Sequence, residues 1–334
     1  MPVTLREIAR EAGVSPATVS KALHGGDERV RVAPSRVLEI QRIAKRLNYY
    51  PNAHARSLRG NRTQTIGLVF EKYFKIGAGP AYCAELLDGI VQELFPRHYR
   101  LTILPEVDHK DLIGSIADGR LDGVLWAKLR AGEARSLAKE CPIPIVAVSG
   151  VPDIASVSCD NAGGMELAVA HLWELGHRHI AFVHESNESL TLDCMARRDG
   201  FQEAVRRRDG LTGDVLVWEW QLNEFREWFR ASNQATALVF WSERGAGVML
   251  EIAEREGISI PEELSVIGFD STTYCELTRP RLTAVRQPIR EMAECATRLL
   301  VDAIERGDTQ VSPPSSPLPC ALDLRASTAP PRPH

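Results

Sequence analysis

Residues 15–23 read Ser-Pro-Ala-Thr-Val-Ser-Lys-Ala-Leu. On a helix, Val19, Ala22 and Leu23 fall together on an inward face, so Pro16, Ala17, Thr18, Ser20 and Lys21 point outward. Small polar side chains with one cation on a short exposed helix suit the major groove of DNA. The hydroxyls of Ser15, Thr18 and Ser20 can hold phosphate oxygens, which position a protein without reading sequence. Ala17 offers a methyl contact, and Lys21 can donate to guanine O6 and N7 or simply to a phosphate. As a point charge, lysine discriminates less sharply there than a forked arginine.

The flanking residues predict how that helix is held. Leu5, Ile8, Ala9 and Ala12 lie on one face at helical spacing, and Thr4 stands three residues before Glu7, the capping-box spacing. Gly13 can adopt a positive φ for a sharp turn. Ser15 is then a natural N-cap and Pro16 a natural first helical residue. A third helix is expected over about 34–47, with Val37, Ile40, Ala44 and Leu47 on one side. Charge follows the same division. Residues 1–62 carry twelve Lys/Arg against five Asp/Glu, a net +7, whereas the whole chain is −4 and the remainder is −11. A basic module joined to an acidic body is the electrostatic footprint of a phosphate-binding head on a sensor. An ordinary solvated helical domain explains neither the helix–Gly–helix pattern nor this split.

Beyond residue 64 strand-like and helix-like patterns alternate. Strands are expected at 65–70, 101–104, 123–126, 143–148, 180–183, 237–241 and 264–269. Helices are expected at 82–95, 165–175, 194–207 and from 241 to about 256. Such alternation implies parallel sheets covered by helices, in two similar halves with a cleft between them. The Pro/Ser stretch 312–319 reads as a loop, and the tail after Thr328 is expected to fray. The seven cysteines are scattered and form no CxxC pair, which fits reduced thiols rather than disulfides or zinc. No apolar run is long enough to span a membrane, and the first residues do not read as a signal peptide, so a cytoplasmic location is expected. Gly77-Ala78-Gly79-Pro80 lacks the Lys-Ser/Thr of a phosphate loop, and neither HExxH nor GxSxG occurs. No catalytic residue, cofactor or metal is therefore expected.

These motifs, taken together, resemble the lactose-repressor (LacI/GalR) family of bacterial transcription regulators over the whole chain. Residues 3–9, 12–15 and 18–23 resemble its opening, turn and recognition helix; 47–58 resemble its hinge. Residues 119–125, 175–181, 265–270, 283–288 and 321–328 resemble signatures of its two-lobed, periplasmic-binding-protein-like body. The resemblance implies an α/β chain: a helix-turn-helix DNA-binding head (1–50), a hinge helix and linker (51–62), and an effector-binding and dimerisation domain (63–334). The lobes would be 63–160 plus 288–318, and 161–287 plus 319–334. It adds Thr4, Leu5 and His24 to the residues at DNA. It places Asn52, Ala55 and Arg56 at the minor groove and phosphates, with Leu58 as an apolar wedge between base pairs. A hinge of about two turns is too short to be stable alone, so it would fold against a second copy on DNA.

The resemblance also implies an effector site. Arg197, three residues before Gly200-Phe201, and Asp270, at a strand end, would clamp vicinal hydroxyls by charge-assisted hydrogen bonds. The sequence departs from the family pattern elsewhere. Trp241 stands where a polar amide is usual, and either stacks on a sugar ring or partly fills the pocket. Ser149 stands where sugar-binding relatives often have aspartate, and Tyr73, Phe74 and Tyr82 are placed to line the cleft. The expected protein is a homodimeric regulator, a repressor in the leading reading, on a pseudo-palindromic double-stranded operator. Its effector would be a small saccharide-like molecule. The alternative is a cleft occluded by Trp241, with a protein partner in control.

Overall fold

The computed structural model describes residues 3–24, 32–49, 62–70, 81–104, 109–127, 140–151, 154–184, 191–218, 226–229, 235–314 and 316–332. They form two compact units, Met1–Thr63 and Gln64–His334.

The first unit contains α1 (Leu5–Ala12), α2 (Pro16–His24) and α3 (Pro34–Arg46). Thr4 closes a full capping box: its hydroxyl accepts the Glu7 N–H, while the Glu7 carboxylate accepts the Thr4 N–H at 2.7 Å. Gly13 ends α1 at φ +62°, where a side chain would be strained, and its N–H returns to the α1 carbonyls. Ser15 Oγ then accepts the Thr18 N–H at 3.1 Å, starting α2. Ile8, Ala9 and Ala12 meet Val19, Ala22, Ile40, Ile43 and Ala44 in one small core, with Leu5 and Leu23 packed against it.

In the second unit the first sheet has the strand order β2-β1-β3-β4-β5, all parallel. Its strands are β1 (Thr65–Phe70), β2 (Arg100–Leu104), β3 (Gly123–Ala127), β4 (Ile145–Val148) and β5 (Ala155–Val157). β1, β3 and β4 are buried along nearly their whole length, as expected for parallel strands covered on both faces. The second sheet runs β11-β10-β9-β8-β6-β7. It comprises β6 (His179–His184), β7 (Thr212–Val217), β8 (Ala237–Phe240), β9 (Ser265–Asp270), β10 (Thr283–Arg286) and β11 (Ala321–Asp323). Only β11, at the edge, is antiparallel to its neighbour.

The chain passes between the sheets after β5, after β10 and before β11. The helices are α4 (Ala81–Leu94), α5 (His109–Ile116), α6 (Asn161–Glu174), α7 (Leu192–Arg206), α8 (Glu243–Glu256), α9 (Tyr274–Leu277) and α10 (Ile289–Arg306). After the second passage α10 packs on α4, β3 and β4 of the first sheet. Gly89 makes this crossing possible, since a Cβ there would come within 2.5 Å of the Arg290 carbonyl.

Several elements differ from the sequence expectation. β5, β7, β10, α5, α9 and α10 are not assigned by it. β7 is an edge strand with no buried residue, and β5 has only three residues, so neither carries a strong alternation. The helix expected from 165 begins at Asn161, because Asp160 caps it by accepting the Gly163 N–H at 2.9 Å. The expected fraying after Thr328 is overturned. Ala329 donates its N–H to Ser265 Oγ at 3.0 Å, its carbonyl accepts the Ser265 hydroxyl, and it also bonds His177 Nε2.

Ser327 has no exposed surface; it donates to the Val266 carbonyl and accepts the Thr283 N–H at 2.9 Å. Ser327→Ala leaves two buried backbone groups short of a partner and should lower unfolding stability by about 2 kcal/mol. A urea midpoint equal to that of the parent would remove this residue as the pin of the C-terminal segment.

Candidate DNA-reading head and effector cleft

In the head, Ser15, Pro16 and Ala17 are exposed, and Thr18 and Lys21 are half-buried. Ser15 Oγ and Thr18 Oγ1 lie 2.9 Å apart, so each already has a local partner. Thr4 is exposed, but its hydroxyl is engaged with Glu7, and Leu5 packs against the head core. Ser20 corrects the sequence expectation: it is only 5% exposed and does not point outward. It lies three residues before Leu23, on the margin of the packed face, where the neighbouring helices cover so small a side chain. A phosphate contact through its hydroxyl is therefore withdrawn. His24 ends α2, but its side chain lies outside the described residues, as do Asn52, Ala55, Arg56, Leu58, Tyr73 and Phe74.

In the body, the strand ends bring Arg197, Asp270 and Trp241 together. Arg197 projects from α7 and is 3% exposed; Asp270 ends β9 and is 9% exposed. The guanidinium donates from Nε to Asn161 Oδ1 at 2.8 Å, and from NH1 to the Trp241 carbonyl and to Asp270 Oδ1 at 3.5 Å. It also stacks 3.6 Å above the Phe269 ring, a cation–π contact strengthened by burial. Gln287 Nε2 donates to Asp270 Oδ1 at 2.6 Å. Asn161 in turn donates to Asp193 at 3.3 Å. Tyr82, half-buried on α4, comes from the first lobe into the field of Asp193, Asp270 and Arg197. Burial and those carboxylates push its phenol far above the ordinary range, so it serves as a neutral hydrogen-bonding group.

Trp241 follows β8 and packs against the body core, leaving its indole Nε1 buried without a hydrogen-bond partner. Ser149, which ends β4 in the other sheet, is 1% exposed, and its Oγ likewise has no partner. An unpartnered buried polar atom costs about 1–3 kcal/mol. Ser149 and Asp270 also hold φ values of +110° and +101°, a strained geometry for residues with a Cβ. Strain of this kind collects where surrounding structure must aim a side chain. Sequence reading missed Asn161, Gln287, Asp193 and Phe269. Gln287 lies inside the crossover motif 283–288 but carries no signal of its own; the others are ordinary by type and spacing.

These strand ends and helices match two family models. One, "Bacterial regulatory proteins, lacI family", covers residues 4–52; the other, "Periplasmic binding protein-like domain", covers 169–328. The HTH-type transcriptional regulator CelR of Thermobifida fusca is 30% identical, over 92% of this chain and 93% of its own. The chain belongs to the lacI family. It is a DNA-binding transcription regulator with a periplasmic-binding-protein-like body. Catabolite control protein A of Priestia megaterium is 27% identical over 98% of this chain and all of its own. Among solved structures, a CelR–cellobiose complex superposes with a TM-score of 0.70 at 27% identity, covering 97% of this chain and 99% of that one. A lac repressor dimer bound to operator and an anti-inducer has the same fold, with a TM-score of 0.82 at 19% identity over 98% and 100% of the chains.

Burial pushes the Asp270 carboxyl up to about 8; Arg197 opposes the shift and Glu243 adds to it. The folded state thus keeps a proton that the unfolded chain releases from the ordinary value of 3.8. Stability from this group is full in acid and is lost as pH rises through about 8. The urea midpoint of the parent should fall between about pH 5 and 8 relative to that of Asp270→Asn, which does not titrate. Parallel profiles for the two proteins would rule out Asp270 as the titrating group.

Proposed function

We propose that this regulator is a repressor controlled by a small saccharide-like effector held between the lobes of residues 63–334. In this reading residues 1–50 read DNA, 51–62 form the hinge, and the lobes divide as 63–160 plus 288–318 and 161–287 plus 319–334. The observation that carries it is the buried Arg197–Asp270 pair, held to the Trp241 carbonyl at the strand ends; Trp241 Nε1, and Ser149 Oγ in the other sheet, are buried without partners. Open parallel sheets bind ligands outside the carboxyl ends of their strands, which is where these groups lie. A carboxyl and a guanidinium grip vicinal hydroxyls, and an indole and a hydroxyl supply further hydrogen bonds. Tyr82 reaches the same site from the opposite lobe, so a ligand touching it would favour one lobe arrangement. Relatives support the ligand class: CelR is solved with cellobiose, and a family member from Enterococcus faecium with ribose.

The working unit would be a cytoplasmic homodimer on a pseudo-palindromic operator, with Ser15, Pro16, Ala17, Thr18 and Lys21 at the DNA and no enzymatic activity. The relatives solved with cellobiose and with ribose favour a sugar effector over a protein partner.

Two tests follow. A panel of mono- and disaccharides, cellobiose included, should contain a compound that raises the melting temperature saturably, by mass action. Asp270→Ala should abolish that shift while operator DNA is still bound; a shift that survives would take Asp270 out of the site. Lys21→Ala should weaken operator binding, reduce its salt dependence by roughly one counterion, and relax discrimination at one base pair by about 1–3 kcal/mol. If salt slope changes without loss of discrimination, Lys21 contacts only phosphate.

A further inference from the structure

Two thiols stand where the lobes join. Cys159 lies on the first passage between the sheets, just after β5, and forms a parallel bridge with Leu318 on the third. The bridge is closed by Asp160 N–H to the Leu318 carbonyl at 2.7 Å and Leu318 N–H to the Ser158 carbonyl at 2.9 Å. Cys320 stands two residues beyond Leu318, the spacing that returns an extended side chain to the same face. The two thiols thus lie on one face of the seam, each in the other's electrostatic field. Cys159 is 4% exposed, whereas Cys320 is half-buried and so reachable from solvent.

The Cys159 thiol also contacts the amide that holds each half of the proposed clamp. It lies 3.3 Å from Gln287 Oε1, and Gln287 holds Asp270. It lies 3.5 Å from Asn161 Oδ1, which accepts the Arg197 guanidinium. A change at this sulfur is therefore passed to Asp270 and Arg197 through one intervening amide each.

We infer that Cys159 and Cys320 form a reversible oxidation site for hydrogen peroxide, which joins the first and third passages by a disulfide and alters the setting of Asp270. Cys320 is the attacking sulfur: it is the more exposed of the two, and its neighbour Cys159 and the charge of Arg197 hold its thiol below the ordinary range despite burial. Its thiolate attacks the peroxide O–O bond, giving a sulfenic acid and releasing water once protonated. The Cys159 sulfur then attacks that sulfenic sulfur; the S–S bond forms, the S–O bond breaks, and the Cys159 proton leaves with the hydroxide as water. The two thiols are oxidised by two electrons and the peroxide is reduced to two waters. A small dithiol reverses the step by exchange. The link to the clamp's ligand rests on the proposed function; the disulfide and its effect on Asp270 do not.

The full-length reduced chain would be treated with a few equivalents of hydrogen peroxide and mapped by non-reducing peptide mass spectrometry. The expected result is loss of two of the seven free thiols, a linked pair of peptides carrying Cys159 and Cys320, and recovery with dithiothreitol. In Cys320→Ser, Cys159 should remain a thiol; in Cys159→Ser, Cys320 should over-oxidise to the sulfinic acid. Cys320 should also react with iodoacetamide at least tenfold faster than Cys141 and Cys295, the other half-buried thiols. Unlinked peptides, or a Cys320 no faster than those two, would overturn the site. The pH profile of melting assigned to Asp270 should shift on oxidation in the parent and stay unchanged in Cys320→Ser. An identical profile before and after disulfide formation would overturn the coupling.

Discussion

A guanidinium and a carboxyl are held almost entirely out of water at the mouth of a parallel sheet, and much of the body is arranged around that constraint. Removing the guanidinium charge from water costs several kcal/mol, repaid only when hydrogen bonds complete it, and the same burial keeps the carboxyl 3.5 Å away protonated up to about pH 8. Asn161, Gln287, the Trp241 carbonyl and the Phe269 ring supply them. Each comes from a different element: the start of α6, the second passage, the end of β8 and β9 itself. The pair is thus satisfied only when these elements meet in one register. Its role is better understood as aiming two groups than as stabilising the fold, because apolar residues would fill the same space at less cost.

The same positions couple the site to the lobes. Asn161 and Gln287 lie next to the first and second passages, and Cys159 touches both. Any rotation of one lobe about these passages must move the amides that hold Arg197 and Asp270. Reciprocally, a ligand that gains contacts in one arrangement biases the rotation by that difference in affinity and no more. Tyr82, on α4 of the first sheet's side, lies within the electrostatic field of the same pair. The rigid α10–α4 packing, pressed close at Gly89, carries the second passage directly into the first lobe.

Much of the head is legible from local chemistry alone. Thr4, Glu7, Gly13 and Ser15 each solve a problem of a helix end, and those problems are settled within four residues along the chain. The apolar period of α1 and α3 then names the inward face. Ser20 shows the limit of that reading. Its exposure depends on how closely two other helices approach, a distance that α2 does not encode. β7 and β5 are similarly hidden, because an edge strand or a three-residue strand takes its identity from the neighbour it pairs with.

The helical head, its positive charge, the alternating body and, through family likeness, the choice of Arg197 and Asp270 are all readable in the unfolded chain. Those properties are local or compositional: caps, periods and charge survive in the unfolded chain as a written pattern. Which groups hold that pair, and which are left without partners, is set by packing. Asn161 and Gln287 are 126 residues apart, and Cys159 is distant from Cys320 along the chain. They meet because the chain crosses between its sheets three times, which brings separate segments to one seam. The pinning of the C-terminal segment by Ser265 and His177 has the same origin. Hydrogen bonds across such distances carry no sequence period, and so folding is what reveals them.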